Sequence, residues 1–183
     1  MRKTKSGFTV IELIVVIIVV ATLATIVIVS YNGAQSRARD TRRQTDIANI
    51  VKALELYYND NGTYPTTSGS TAINANWFSS NDSSWTTFNT LLVNANAITS
   101  VPTDPINKPN PGVAGTGVMD NTSNFSYALY VNNSNYCGVG PGKMFLLLYR
   151  LESGESQTTY TDGSCSVNEL GSSYGTSFYR SVR

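Results

Sequence analysis

Histidine is absent from this chain of 183 residues. Without an imidazole, the Ser–His and Cys–His nucleophile pairings and the HExxH metal helix are excluded. Neither CxxC nor a phosphate-binding glycine loop occurs, and no hydrolase elbow is expected, because the GxSxG spacing at Gly171–Gly175 has no histidine anywhere in the chain to serve it. The carboxylates Glu152, Glu155 and Glu169 fall in turn-like contexts rather than as an acid and base pair for glycoside hydrolysis. The chain is therefore expected not to be an enzyme. Charge is also scarce: Asp, Glu, Lys and Arg make up 14% of the residues and the formal net charge is +1, so no basic field marks nucleic acid as the main partner. Proline is missing before Pro65, so nothing of that kind interrupts a helix in the first third.

What the sequence does have is concentrated at its start. Arg2, Lys3 and Lys5 precede Ser6-Gly7, and an apolar run then extends from Phe8 to Val29 with Glu12 as its one ionisable side chain. About 20 apolar residues suffice to cross a bilayer as a helix. The basic cluster on the N-terminal side predicts an N-in, C-out orientation. A secretory signal peptide is the competing reading, but it would be cut after the apolar run and has no use for Glu12. A carboxylate in such a segment costs about 2.5–3.5 kcal/mol at the membrane centre, less near the interface. One explanation is local: Thr9-Val10-Ile11-Glu12 has the spacing of a capping box, with Thr9 as N-cap. The other begins at Gly7-Phe8, where a small residue between leader and helix suits a protease. Cleavage there gives Phe8 a new amine, which in one subunit's helix can neutralise Glu12 of a neighbour.

After a weak helical patch at Ser30-Tyr31-Asn32-Gly33, helical spacing resumes. Arg37, Arg39, Asp40, Arg42, Arg43 and Asp46 read as a solvated face, while Ile47, Ile50, Val51, Leu54 and Tyr57 or Tyr58 form an apolar stripe. One helix from Phe8 to about Tyr58 is predicted, with Gly33 its weakest point. Asn59-Asp60-Asn61-Gly62 and Pro65 end it. Thr66 to Ser84 reads as a surface loop, and Trp85, Phe88, Leu91, Leu92 and Ala95 as a short second helix. Pro102 to Asn107 is a rigid connection, and Pro109 to Asn124 is a loop. Strands are predicted at Phe125–Val131 and Lys143–Leu151, with further strands near Gln157–Thr161 and Tyr174–Val182. Cys137 and Cys165 lie in the part predicted to be outside, where a disulfide can persist; two buried free thiols are the alternative.

The stretch Lys5-Ser6-Gly7-Phe8-Thr9-Val10-Ile11-Glu12-Leu13 resembles the class III signal of type IV pilins and type II secretion pseudopilins. Tyr57 to Pro65 is similar to the corresponding stretch of major pseudopilins, and Pro102-Thr103-Asp104-Pro105 to their Pro-x-Asp-Pro segment. The resemblance implies cleavage after Gly7, N-methylation of Phe8 and a role for Glu12 in filament assembly. It implies homopolymerisation through the N-terminal helices, with a prepilin peptidase, an assembly ATPase and a platform membrane protein as partners. Before assembly the subunit would sit in the cytoplasmic membrane, and afterwards in a surface or periplasmic filament. The proline that the family often carries midway through the apolar half is missing here. Some pseudopilins bind Ca²⁺ in C-terminal loops; Asp104, Asp120, Asn121 and Asp162 offer oxygens, but their spacing matches no EF-hand, and no cofactor is expected.

The expected fold class is α+β, a pilin-like long N-terminal helix packed on a small antiparallel sheet. The expected divisions are a leader over 1–7, a transmembrane and assembly helix over 8–30, a spine helix over 31–59 and a globular domain over 60–183. The expected function is a structural subunit of a type IV pilus or pilus-like filament, with a type II secretion major pseudopilin as the alternative. A monomeric membrane-anchored binding domain is the alternative of a different class.

Overall fold

The computed structural model describes residues 7–66, 77–107, 125–136, 138–154, 158–160 and 177–183. Helix α1 runs unbroken over Val10–Asn61, through Gly33, where an added Cβ would meet only the Arg37 side chain at 3.8 Å. The chain divides into two compact units, Met1–Ala38 and Arg39–Arg183.

In the first unit the described side chains from Phe8 to Ile28 are all exposed. This is the part of α1 that is long and apolar enough to cross a membrane. Its two hydroxyls suit that solvent, because Thr22 Oγ1 donates to the carbonyl of Val19 at 2.8 Å and Thr25 Oγ1 to that of Ala21 at 2.9 Å. Polar groups bonded back onto their own helix need no water.

The second unit carries the α+β layout. Besides the rest of α1 it contains β1 (Trp77–Ser79), α2 (Ser84–Asn94), β2 (Ala128–Val131), β3 (Met144–Tyr149), β4 (Thr158–Tyr160) and β5 (Ser177–Val182). The sheet order is β1-β2-β3-β5-β4. The first four strands in that order pair antiparallel, as expected, with Leu129 opposite Leu147 and Leu147 opposite Tyr179. The fifth, β4, adds to β5 in parallel. A parallel pair needs a crossover of about a dozen residues or more, and the segment 161–176 supplies that length.

Strand β1 corrects the reading of Thr66 to Ser84 as loop. Trp77-Phe78 is a short apolar island in Ser, Thr and Asn, and Phe78 is fully buried opposite Leu129. Two bulky residues with β propensity suffice when an edge of β2 is waiting for them. The core joins Ile47, Ile50 and Leu54 of α1 to Phe88 and Leu92 of α2 and to Leu129, Phe145 and Leu147 of the sheet. Alternate residues Ala128, Leu146 and Leu148 form a second buried cluster with Trp77 and Tyr130. The central strand β3 is thus buried along both faces, which is why its sequence is a continuous apolar run rather than an alternation.

The end of α1 is fastened to the β2–β3 connection. Gly62 takes the left-handed conformation with φ +73° and donates to the Tyr58 carbonyl at 2.7 Å. Lys143 Nζ donates to the Gly62 carbonyl at 2.6 Å, placing a cation at the negative end of the helix. The Tyr64 amide donates to the Gly142 carbonyl at 2.8 Å, and Gly142 has φ +70°. A Cβ at Gly142 would lie 2.9 Å from Thr63 Cβ. Gly142→Ala is therefore expected to cost about 1–3 kcal/mol in urea unfolding of the solubilised chain. A loss below about 0.5 kcal/mol would show that this turn tolerates a side chain.

Candidate functional site

The residues singled out at the N-terminus sit where the chain enters α1. Among the described residues, none beyond its chain neighbours comes within 4 Å of the position a Cβ on Gly7 would take, and Phe8 is 88% exposed, so the described surroundings of the Gly7–Phe8 bond are open. Glu12 occupies the first turn of α1. Its Oε2 accepts from the Thr9 amide at 2.8 Å and from Thr9 Oγ1 at 2.7 Å, while the Glu12 amide donates to Thr9 Oγ1 at 3.3 Å. That is the capping box which the spacing predicts, closed in both directions. Its donors lie on the C-terminal side of the Gly7–Phe8 bond. The cap therefore consumes one carboxylate oxygen of Glu12 and does not depend on the leader.

In the second unit the structure gathers a charge cluster that sequence reading scattered. Arg43 is fully buried, and Asp40 and Asp46 are nearly so; the reading of this arginine run as a solvated face is corrected at these positions. The Arg43 guanidinium forks onto Asp104, with Nε to Oδ2 at 2.7 Å and Nη2 to Oδ1 at 3.2 Å. Its Nη1 donates to Asp40 Oδ1 at 2.7 Å and to Glu152 Oε1 at 2.8 Å. Arg39 completes the group with two bonds of 2.6 Å to Glu152. Burial opposes the charge on Arg43, but the bonds to Asp104, Glu152 and Asp40 outweigh it and push its pKa up. The Phe125 ring lies 4.6 Å from the guanidinium carbon.

Each carboxylate also organises backbone. Asp40 accepts from the amides of Glu152 and Ser153 at 2.9 and 3.0 Å. Asp104 Oδ1 accepts from Ile106 at 2.8 Å and Asn107 at 3.2 Å, which folds the segment after Pro102 into a tight turn. Trp85 Nε1 donates to the Pro102 carbonyl at 3.1 Å, holding the same segment to α2. Nearby, Tyr127 donates its hydroxyl to Asp46 at 3.0 Å; burial raises both pKa values, and the Asp46 charge raises that of Tyr127 further. This cluster binds three distant stretches of chain to α1 and presents no nucleophile or open acid–base pair. Of the oxygens considered as calcium ligands, both of Asp104 are engaged by Arg43; Asp120, Asn121 and Asp162 lie outside the described residues. Cys137 and Cys165 also lie outside them.

The helical register carried a signal for the cluster. Asp40 and Arg43 precede Ile47, Ile50 and Leu54 at alternating steps of three and four, so they continue the buried stripe rather than the opposite face.

The chain is similar to known proteins along its first two thirds. The family model described as prokaryotic N-terminal methylation motif matches residues 2–28, which include Gly7, Phe8 and Glu12. The model described as type II secretion system protein G matches residues 30–115, from the end of the apolar run past Asp104. The type II secretion system core protein G of Vibrio cholerae is 39% identical over 67 residues, 37% of this chain and 45% of that protein. Its counterpart from Aeromonas hydrophila is 36% identical over 66 residues, 36% of this chain and 46% of that protein. The type IV wide pilus major component PilA4 of Thermus thermophilus is 42% identical over 64 residues, 35% of this chain and 48% of that protein. The chain thus spans a little under half the length of the curated relatives it matches. No solved structure matches it.

Proposed function

We propose that this chain, which matches the N-terminal methylation motif over residues 2–28 and the type II secretion protein G model over residues 30–115, is a structural subunit of a type IV pilus or pilus-like filament, made as a membrane-inserted precursor. The observation that carries this reading is the open Gly7–Phe8 bond directly before an apolar run, exposed from Phe8 to Ile28, whose one ionisable side chain is Glu12. A prepilin peptidase cuts after Gly7, the new amine of Phe8 is methylated, and Glu12 of a neighbouring subunit neutralises that amine during assembly. The capping box supports this division of labour, since it holds Glu12 through one oxygen and leaves the other for a neighbour. The leader stays in the cytoplasm and the Arg39–Arg183 unit faces outward. An assembly ATPase and a platform membrane protein move the subunit from membrane to filament.

A second reading within the same class is a major subunit of a type II secretion pseudopilus. It is favoured by the protein G model over residues 30–115 and by the core protein G relatives.

Intact mass and N-terminal sequencing of membrane and sheared-filament fractions test the proposal. The mature chain is expected to start at methylated Phe8. Glu12→Ala is expected to be cleaved normally yet reduced at least tenfold in filaments, the scale of losing a charge pair worth about 1.4 kcal/mol or more. A chain that starts at Met1, with Glu12→Ala behaving as wild type, would make the N-terminus a simple anchor and the outer unit a monomeric binding domain.

A further inference from the structure

We propose that Arg37 binds the phosphate of a phospholipid headgroup in the leaflet at the C-terminal end of the span, with Tyr31 seated in the same membrane interface. This rests on the membrane-inserted reading above and adds to it a lipid site that fixes where the span ends.

The levels follow from helix geometry. At about 1.5 Å per residue the apolar run from Phe8 to Val29 is about 33 Å long, close to a hydrocarbon core of about 30 Å. Its described side chains, Phe8 to Ile28, are all exposed. Arg37 is the first charged residue after Glu12. Its Cα lies about 12 Å past Val29, whereas the headgroup layer extends only about 5–7 Å from the hydrocarbon. The side chain closes that gap. It leans back toward the helix N-terminus, as long helical side chains do, so that Nη2 lies 3.8 Å from the place a Cβ on Gly33 would take. The guanidinium therefore sits about one turn nearer the span than its own Cα, about 6 Å past Val29 and level with lipid phosphates.

The neighbours of Arg37 suit the same place. Gly33 lies inside α1 rather than in a left-handed turn, so no backbone conformation demands glycine there. Its bare surface is what the guanidinium lies along, and a branched side chain at 33 would fill that space. Tyr31 is 61% exposed and about 3 Å past Val29, where a ring with a polar tip meets both the hydrocarbon edge and water. It stands about 120° round the helix from Arg37, so the two side chains hold the helix from different sides. The planar guanidinium matches two phosphate oxygens at once, which an ammonium cannot do. A carboxylate of a second copy is the competing partner, and the level of the guanidinium beside an interfacial tyrosine favours phosphate.

The test is carbon–phosphorus dipolar dephasing by solid-state NMR on the full chain in phosphatidylcholine vesicles, with the guanidino carbon of every arginine labelled. Arg2→Lys silences the arginine of the leader, and subtracting the spectrum of a further Arg37→Lys variant isolates position 37. The Arg37 carbon is expected to dephase about fivefold more strongly than the remaining arginine carbons, as a direct hydrogen bond to phosphate requires. Because this lipid carries no net charge, such a result assigns the contact to the phosphate itself. Equally weak dephasing of all arginines, in a chain that resists alkaline carbonate extraction, overturns the lipid site and leaves the subunit reading standing. A carbon–carbon cross-peak from the Arg37 guanidinium to a carboxylate of a differently labelled second copy does the same. A chain that carbonate releases from the vesicles overturns both.

Discussion

Arg43→Met is expected to destabilise the Arg39–Arg183 unit by about 3–5 kcal/mol, a large share of the stability of a domain this size. The cost arises from what remains. Asp104 is 3% exposed and Asp40 8%, and both would keep their charge positions without the guanidinium that compensates them. Each would have to protonate or draw in water, and the turn that Asp104 holds through Ile106 and Asn107 would loosen with it. Arg43→Lys is expected to recover little. One ammonium cannot reproduce a planar fork that meets Asp104 through Nε and Nη2 while Nη1 serves Asp40 and Glu152. Arg42→Ala provides the contrast: its side chain is 63% exposed and reaches Asp46 at 3.7 Å, so its loss should change stability by less than about 1 kcal/mol. Urea unfolding of the three variants in detergent, followed by circular dichroism, measures the differences. An Arg43→Met midpoint level with that of Arg42→Ala would mean that the cluster relaxes at little cost and is not what holds the three segments together.

The same cluster shows where sequence reading reached and where it stopped. The apolar run, Glu12 and the capping-box spacing are local features, so their outcome could be written from neighbours three residues apart. The α+β layout was legible for a related reason: Ile47, Ile50 and Leu54 keep helical period, and Met144 to Tyr149 reads as a strand buried on both faces. Arg43 was misplaced because its partners are remote. Asp104 lies 61 positions away and Glu152 109 positions away, and nothing in a window around Arg43 announces them. A charged residue on a predicted helix is solvated by default, and only its register with Ile47 and Ile50 argued otherwise. Strand β1 was missed on similar grounds. Three residues have no period of their own, and Trp77-Phe78 becomes a strand because β2 offers an edge and the core accepts Phe78. The contact between Glu55 and Arg183 is another of this kind, joining the spine to the end of β5 across 128 positions.

Alkaline pH is expected to weaken this unit well before the peptide chemistry fails, and the sign follows from two buried phenols. Burial pushes the Tyr64 pKa up to about 12, with Ser181 and Glu55 at hydrogen-bond distance from its hydroxyl. Tyr127 is shifted upward further, by burial first and by the Asp46 charge second. In the unfolded chain both phenols ionise near about pH 10. Between that pH and the folded pKa the native state therefore holds protons that the unfolded state has released, and stability falls as pH rises. The contribution is fully present below about pH 10; for Tyr64 the loss is on the order of 3 kcal/mol once pH passes through its folded value. Tyr64→Phe with Tyr127→Phe removes both titrations. At neutral pH the double variant should be less stable by about 1 kcal/mol per lost hydrogen bond, and at about pH 11.5 it should equal or exceed the wild type. Urea midpoints at about pH 8, 10 and 11.5 give the comparison, with phenolate absorbance reporting the ionisation. Parallel losses in wild type and double variant would assign the alkaline weakening to other groups. A crossover would show that two phenols, placed against α1 by Glu55 and Asp46, keep the sheet and the spine helix together only while they hold their protons.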